Sequence, residues 1–281
     1  MIVFRLLKTA CALGAVLLIA ACGSQDDSIE TPIVRPTSAA PAGVYEGTLT
    51  DSQSTENVTA FLNGDSTFML FNADGSLIAS GVYAKTDQAR GLTWTARLFR
   101  EVTIPGTPDD PSTPADESTD PTTGQAITSI VAGGTYDEQS AIQMTFTERD
   151  ASGASLDSGS LALSYDSVAY ESRSDVSLIQ GSWGLKDQFG TPTTSISIDA
   201  GGTFSGADED GCNYSGAFSV IDQHYNLYAV RLQTQCTGSA TTVTTTGLAT
   251  LKKAVTGSAT PSLVSVSASS KLAVLWQLKP L

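Results

Sequence analysis

Beyond residue 42 the chain runs in short stretches where apolar and polar residues alternate. Leu92, Trp94, Ala96 and Leu98 alternate with Thr93, Thr95 and Arg97. Ile142, Met144 and Phe146 alternate with Gln143, Thr145 and Thr147, and Leu272, Val274, Trp276 and Leu278 repeat the pattern near the C-terminus. Side chains on a strand point alternately to its two faces, so each stretch predicts a strand with one dry and one wet face, the signature of antiparallel sheet. Turn residues such as Asn63-Gly64-Asp65, Ala73-Asp74-Gly75 and Ala200-Gly201-Gly202 separate consecutive strands by a few residues, which predicts sequential hairpins. No stretch carries a helical period, and the chain reads as all-β.

The two halves repeat each other. Gly43-Val44-Tyr45 answers Gly181-Ser182-Trp183, and Ser66-Thr67-Phe68 answers Gly202-Thr203-Phe204. Ser80-Gly81 then answers Ser215-Gly216, and residues 92–98 answer 226–232, which aligns Arg97 with Arg231. Gly159-Ser160-Leu161-Ala162-Leu163 resembles Gly247-Leu248-Ala249-Thr250-Leu251. Matches in one order predict two copies of one fold, residues 43–173 and 178–281, with a boundary near Ser174 to Ser177; a single large β-domain is the alternative. Each copy has room for seven or eight strands. That number suits an antiparallel up-and-down barrel, because closing a sheet on itself removes its adhesive edges. A β-sandwich is the competing architecture.

Gly-x-aromatic on a first strand, followed by a meander, resembles the calycin group of lipocalins, avidins and small bacterial barrel inhibitors. The resemblance implies that the aromatic plugs the closed barrel end beneath a basic side chain from the last strand. The matching pairs are Trp183 with Lys279 and Tyr45 with Arg173. Tyr45 departs from the usual Trp, and the resemblance covers topology without implying a ligand.

The N-terminus follows another rule. Its apolar run from Thr9 to Ala21, behind Arg5 and Lys8, is too short for the roughly 20 residues that span a bilayer, so residues 1–21 read as a signal peptide. The run ends in Ile19-Ala20-Ala21-Cys22, which resembles the lipobox of bacterial lipoproteins. That resemblance implies cleavage before Cys22, lipidation of Cys22 and a membrane partner held through the lipid. Gly23 stands where Asp would retain a Gram-negative lipoprotein at the inner membrane, which implies the outer membrane. Residues 22–42, rich in Ser, Pro, Asp and Thr, read as a flexible tether able to span about 25 Å.

With Cys11 lost in the leader and Cys22 acylated, Cys212 and Cys236 remain as an even pair in an oxidising compartment, which predicts a disulfide. A metal pair or redox couple finds no support, for there is no CxxC and His224 is the single histidine. Removing Arg5 and Lys8 from the 15 basic residues leaves 13 against 29 acidic ones, about −16 net, which disfavours nucleic acid as a partner. Residues 104–124, dense in Pro and Asp, read as a loop inserted in the first barrel. No catalytic motif, cofactor site or metal spacing is present. Asp208-Glu209-Asp210 reads as a hairpin tip and His224 as a surface turn residue. The expectation is a non-enzymatic envelope module that binds a protein partner or a small apolar ligand; a structural component of an envelope assembly is the alternative.

Overall fold

The computed structural model describes residues 41–104, 122–187, 189–253 and 260–281. Cys22, the tether as far as residue 40 and the Pro/Asp-rich segment 105–121 lie outside them. Among the described residues, sixteen strands form two closed antiparallel barrels of eight strands each. The first comprises β1 (Gly43–Thr50), β2 (Thr55–Leu62), β3 (Thr67–Asn72), β4 (Leu77–Lys85), β5 (Gly91–Ile104), β6 (Thr122–Asp137), β7 (Ala141–Arg149) and β8 (Ser155–Tyr165), closed by pairing β8 with β1. The second comprises β9 (Gly181–Lys186), β10 (Pro192–Ile198), β11 (Thr203–Asp208), β12 (Cys212–Val220), β13 (Tyr228–Cys236), β14 (Val243–Lys252), β15 (Ser262–Ala268) and β16 (Ala273–Pro280), closed by pairing β16 with β9. β5 continues to Ile104 and β6 begins at Thr122, paired rung by rung, so the expected loop 104–124 loses its two ends to strands.

The alternation does what it predicts. Leu92, Trp94, Ala96 and Leu98 are buried inside the first barrel while Thr93, Thr95 and Arg97 face solvent. Ladder register then corrects the repeat in two places. Gly81 pairs with Ala96 and Gly216 with Leu232, so Ala96 and Leu232 are equivalent and Arg231 answers Thr95, not Arg97. Gly159-Leu163 lies on the eighth strand of its barrel and Gly247-Leu251 on the sixth, so that match joins non-equivalent strands.

Gly81 and Gly216 also show how the sheets bend tightly enough to close. A Cβ on Gly81 would sit 2.1 Å from the Thr95 carbonyl oxygen, and one on Gly216 2.0 Å from that of Arg231. Neighbouring backbones meet there without room for a side chain. Gly216→Val is expected to cost about 2 kcal/mol in a urea titration through overpacking. Gly133→Ala, on an outward position with nothing within 4 Å of the added carbon, is expected to be neutral or slightly stabilising.

Between the barrels lie two single-turn helices that the hydrophobic pattern does not announce, α1 (Ser167–Tyr170) and α2 (Val176–Ile179), each started by an aspartate, Asp166 or Asp175, whose side chain accepts a helix amide. The barrels pack through outward-facing apolar positions that would otherwise meet water. Phe61, Met69, Phe71, Ile78 and Phe99 of the first barrel are buried, as are Leu248, Val264 and Val266 of the second, and β3 and β4 contact β14, β15 and β16. Polar groups reinforce the junction. The buried Asn226 amide donates to the carbonyls of Ala169 and Leu251, both at 2.8 Å, and accepts from the Leu251 amide. Tyr170 stacks on Tyr225 with ring centroids 4.6 Å apart.

Candidate functional site

Three places concentrate polar chemistry: the two barrel ends far from Tyr45 and Trp183, and the groove between the barrels.

At the first, the inward row of β5 runs from Leu98 to Arg100, and that of β7 from Phe146 to Glu148, so charge appears where the apolar row would continue. Arg100 lies 3.1 Å from Asp51, 3.6 Å from Glu56 and 3.5 Å from Glu148. Asn72 donates to Glu56 at 2.9 Å and Thr128 to Glu148 at 2.7 Å. The cluster plugs the mouth of the first barrel. Burial alone would raise the Asp51 carboxyl, but amide hydrogen bonds from Gln53 and Ser54, with Arg100 beside them, outweigh it and hold Asp51 below the usual carboxylate range. A carboxyl lowered in the folded state stabilises above its unfolded value, near 3.9, and that stabilisation is lost as pH falls towards the lower folded value. Thermal midpoints should therefore stay level from about pH 7 to 5 and drop below about pH 4, with a shallower drop in Asp51→Asn. Arg100→Met leaves three carboxylates facing one another and is expected to cost about 2 kcal/mol at pH 7, between the figures for exposed and for buried pairs, because Arg100 is 28% exposed.

Below this plug the first barrel is full. Its interior leaves a void of about 20 Å³ among Leu49, Phe68, Leu70, Trp94 and Phe146, room on the order of one water. Trp94, whose indole nitrogen has no hydrogen-bond partner among the described residues, belongs to its lining. That void is too small for the small apolar ligand.

The corresponding end of the second barrel carries the Cys212–Cys236 disulfide, bridging residues directly opposite each other on β12 and β13. Cys236 lies four residues beyond Leu232 as Arg100 lies four beyond Ala96, so a covalent bridge stands where the first barrel has its ion cluster. Asp208 accepts from the Cys212 amide at 2.8 Å and from the Tyr214 hydroxyl, and desolvation together with that bond pushes the Tyr214 phenol up. His224 lies on an exposed turn, its Nδ1 2.8 Å from Asp222. Among the described residues no group of three or more His, Cys, Asp or Glu side chains is arranged to hold a metal, and no helix is long and apolar enough to cross a membrane.

The expected aromatic plugs sit at the opposite ends, without the expected covers. Tyr45 is buried and its hydroxyl donates to the Pro41 carbonyl at 2.8 Å; Trp183 is buried and its Nε1 donates to the Ile179 carbonyl at 2.7 Å. In both copies the polar atom is satisfied by a carbonyl four residues upstream. Arg173 is instead 73% exposed and pairs with Asp175 at 2.9 Å. Lys279 is exposed because strand alternation points Trp276 and Leu278 inward and Lys279 outward.

The groove lies between the β2–β3 turn and β3–β4 of the first barrel and the outer faces of β12, β13 and β14 of the second. Two contiguous cavities of about 430 and 490 Å³ share Asn63, Asp65, Ser219 and Ala229. Thr67, Ser80, Arg231 and Thr246 line the first; Tyr170, Asp222 and Tyr225 line the second. Each volume falls within the roughly 300–1,000 Å³ of small-molecule sites. Nothing in the periodicity of either half marks this groove, since it exists only when the two copies are juxtaposed. The fold and groove together define a tandem β-barrel protein with an inter-barrel cleft of mixed polar and apolar lining. No family model, no curated protein and no solved structure matches the chain.

Proposed function

We propose that the protein is a non-enzymatic binding module of the bacterial envelope, held at the outer membrane by lipid on Cys22, and that its site is the groove between the barrels. The observation that carries the reading is the contrast in space: about 20 Å³ inside the first barrel against about 430 and 490 Å³ along the groove. The lining supports it, because Asn63, Thr67, Ser80, Ser219 and Thr246 bring hydroxyl and amide groups to one concave surface. The acidic balance of the chain supports a partner other than nucleic acid.

Two experiments test the two halves of this reading. A fragment library followed through backbone amide shifts should give hits that cluster on groove residues and vanish in Ala229→Trp, since Ala229 lines both cavities; hits scattered over the barrels, or unchanged by the substitution, sink the groove assignment. For the anchor, native protein should partition into the detergent phase and Cys22→Ser into the aqueous phase. Equal partitioning of the two sinks it.

A further inference from the structure

We infer that the groove takes a carboxylate-bearing oligosaccharide, with Arg231 as its anion anchor and Arg97 at its rim; the inference rests on the groove being the binding site. Six arginines lie among the described residues, and four of them are engaged with the protein. Arg90 pairs with Asp137, Arg100 with its three carboxylates and Arg173 with Asp175, while Arg149 donates to the Gly153 carbonyl at 2.9 Å. Arg97 and Arg231 make no ion pair or hydrogen bond with any described residue. In a chain of net charge −14, unspent guanidinium groups are the exception.

Arg231 lines the groove, and Arg97 is the cross-strand partner of a residue that lines it. Arg231 projects from the outer face of β13, with Ala217 and Thr246 as its cross-strand neighbours, and lines the groove. Arg97 projects from the outer face of β5 opposite Ser80, which lines the facing wall. Neither Asp65 nor Asp222 of the groove pairs with Arg231: one carboxylate oxygen of Asp65 accepts the Thr67 amide and hydroxyl at 2.9 and 2.6 Å, and one of Asp222 accepts the His224 amide at 2.9 Å and meets its Nδ1 at 2.8 Å. A guanidinium presents a planar fork of donors that matches a carboxylate in two parallel hydrogen bonds. Around it the polar Asn63, Thr67, Ser80 and Thr246 alternate with the apolar Ala217, Ala229 and Leu248, a mixed surface that suits the hydroxyl edge and the C–H face of a sugar ring, and we take the acidic ligand to be a sugar on that ground.

The experiment compares a galacturonate trisaccharide with its methyl ester by calorimetry, so that sugar is constant and charge is not. The acid should bind about tenfold or more tightly than the ester, as expected for hydrogen bonds to a charged partner, and should weaken with added salt. Arg231→Gln should bring the acid down to the level of the ester at unchanged thermal stability, and Arg97→Gln should weaken it about threefold, as a rim charge does. Equal binding of acid and ester, insensitivity to Arg231→Gln, or no binding of the acid at millimolar concentration overturns the inference. Ala229→Trp separates the two readings. If it abolishes binding while acid and ester bind alike, the groove stands and its preference for carboxylates falls; if the acid still binds, the groove itself is not the site.

Discussion

Trp183→Ala is expected to lower the unfolding free energy by about 4 kcal/mol, the range for emptying a large aromatic from a core. Trp183 packs with Ile179, Ile196, Phe204, Tyr228 and Leu278 at the end of the second barrel where its chain enters. Its indole N–H is the donor that satisfies the Ile179 carbonyl. Truncation removes apolar contacts and leaves a buried acceptor unpaired. Trp183→Phe keeps most of the volume and loses the donor, so it should cost about 1–2 kcal/mol, and the difference between the two variants separates packing from hydrogen bonding. Urea titrations followed by circular dichroism measure both. A loss in the alanine variant no larger than in the phenylalanine variant would show that the cavity term is negligible and that Trp183 is not a packing keystone.

Reduction of the Cys212–Cys236 bridge is the second large effect, at about 3 kcal/mol. The bond closes a loop with a sequence separation of 24, and in the chain-entropy account a cross-link of this span restricts the unfolded ensemble by about that amount. Reduction should add two hydrogens to the mass, with no free thiol from the pair beforehand, and should shift the urea midpoint downwards with a somewhat steeper slope, because the unfolded chain without the cross-link exposes more surface. Because the bridge sits on adjacent strands already held by a full ladder, the folded state should survive reduction. Identical midpoints for the oxidised and reduced protein would falsify the entropic contribution.

Strands were legible wherever one face is dry and the other wet. β5 and β7 follow from the alternation of their side chains, and the equivalence of β1 with β9 and of β3 with β11 follows from Tyr45, Trp183, Phe68 and Phe204 at matching places. The inter-barrel contact was written in the chain in another form: Phe68-Met69-Leu70-Phe71 on β3 and Leu263-Val264-Ser265-Val266 on β15 are continuous buried runs, the mark of a strand covered on both faces. The Arg100 plug had a signal too, since charged residues stand at inward positions of β5 and β7. What local pattern cannot carry is the pairing of distant places. Whether Arg173 or Lys279 covers an aromatic depends on the direction of one side chain, and the groove depends on how two closed surfaces meet. The match of Gly159 with Gly247 failed for a related reason: glycines recur wherever a barrel must bend, so they mark curvature and not strand number.

The contact between the barrels has a consequence for how the chain is delivered. Made or threaded from its N-terminus, the protein completes β8 at Tyr165 long before β14 and β15 arrive. Until then Phe61, Met69 and Phe71 form an oily flank with nothing to lie against. Chains whose second barrel is still missing are thus the adhesive species, and the finished protein is not.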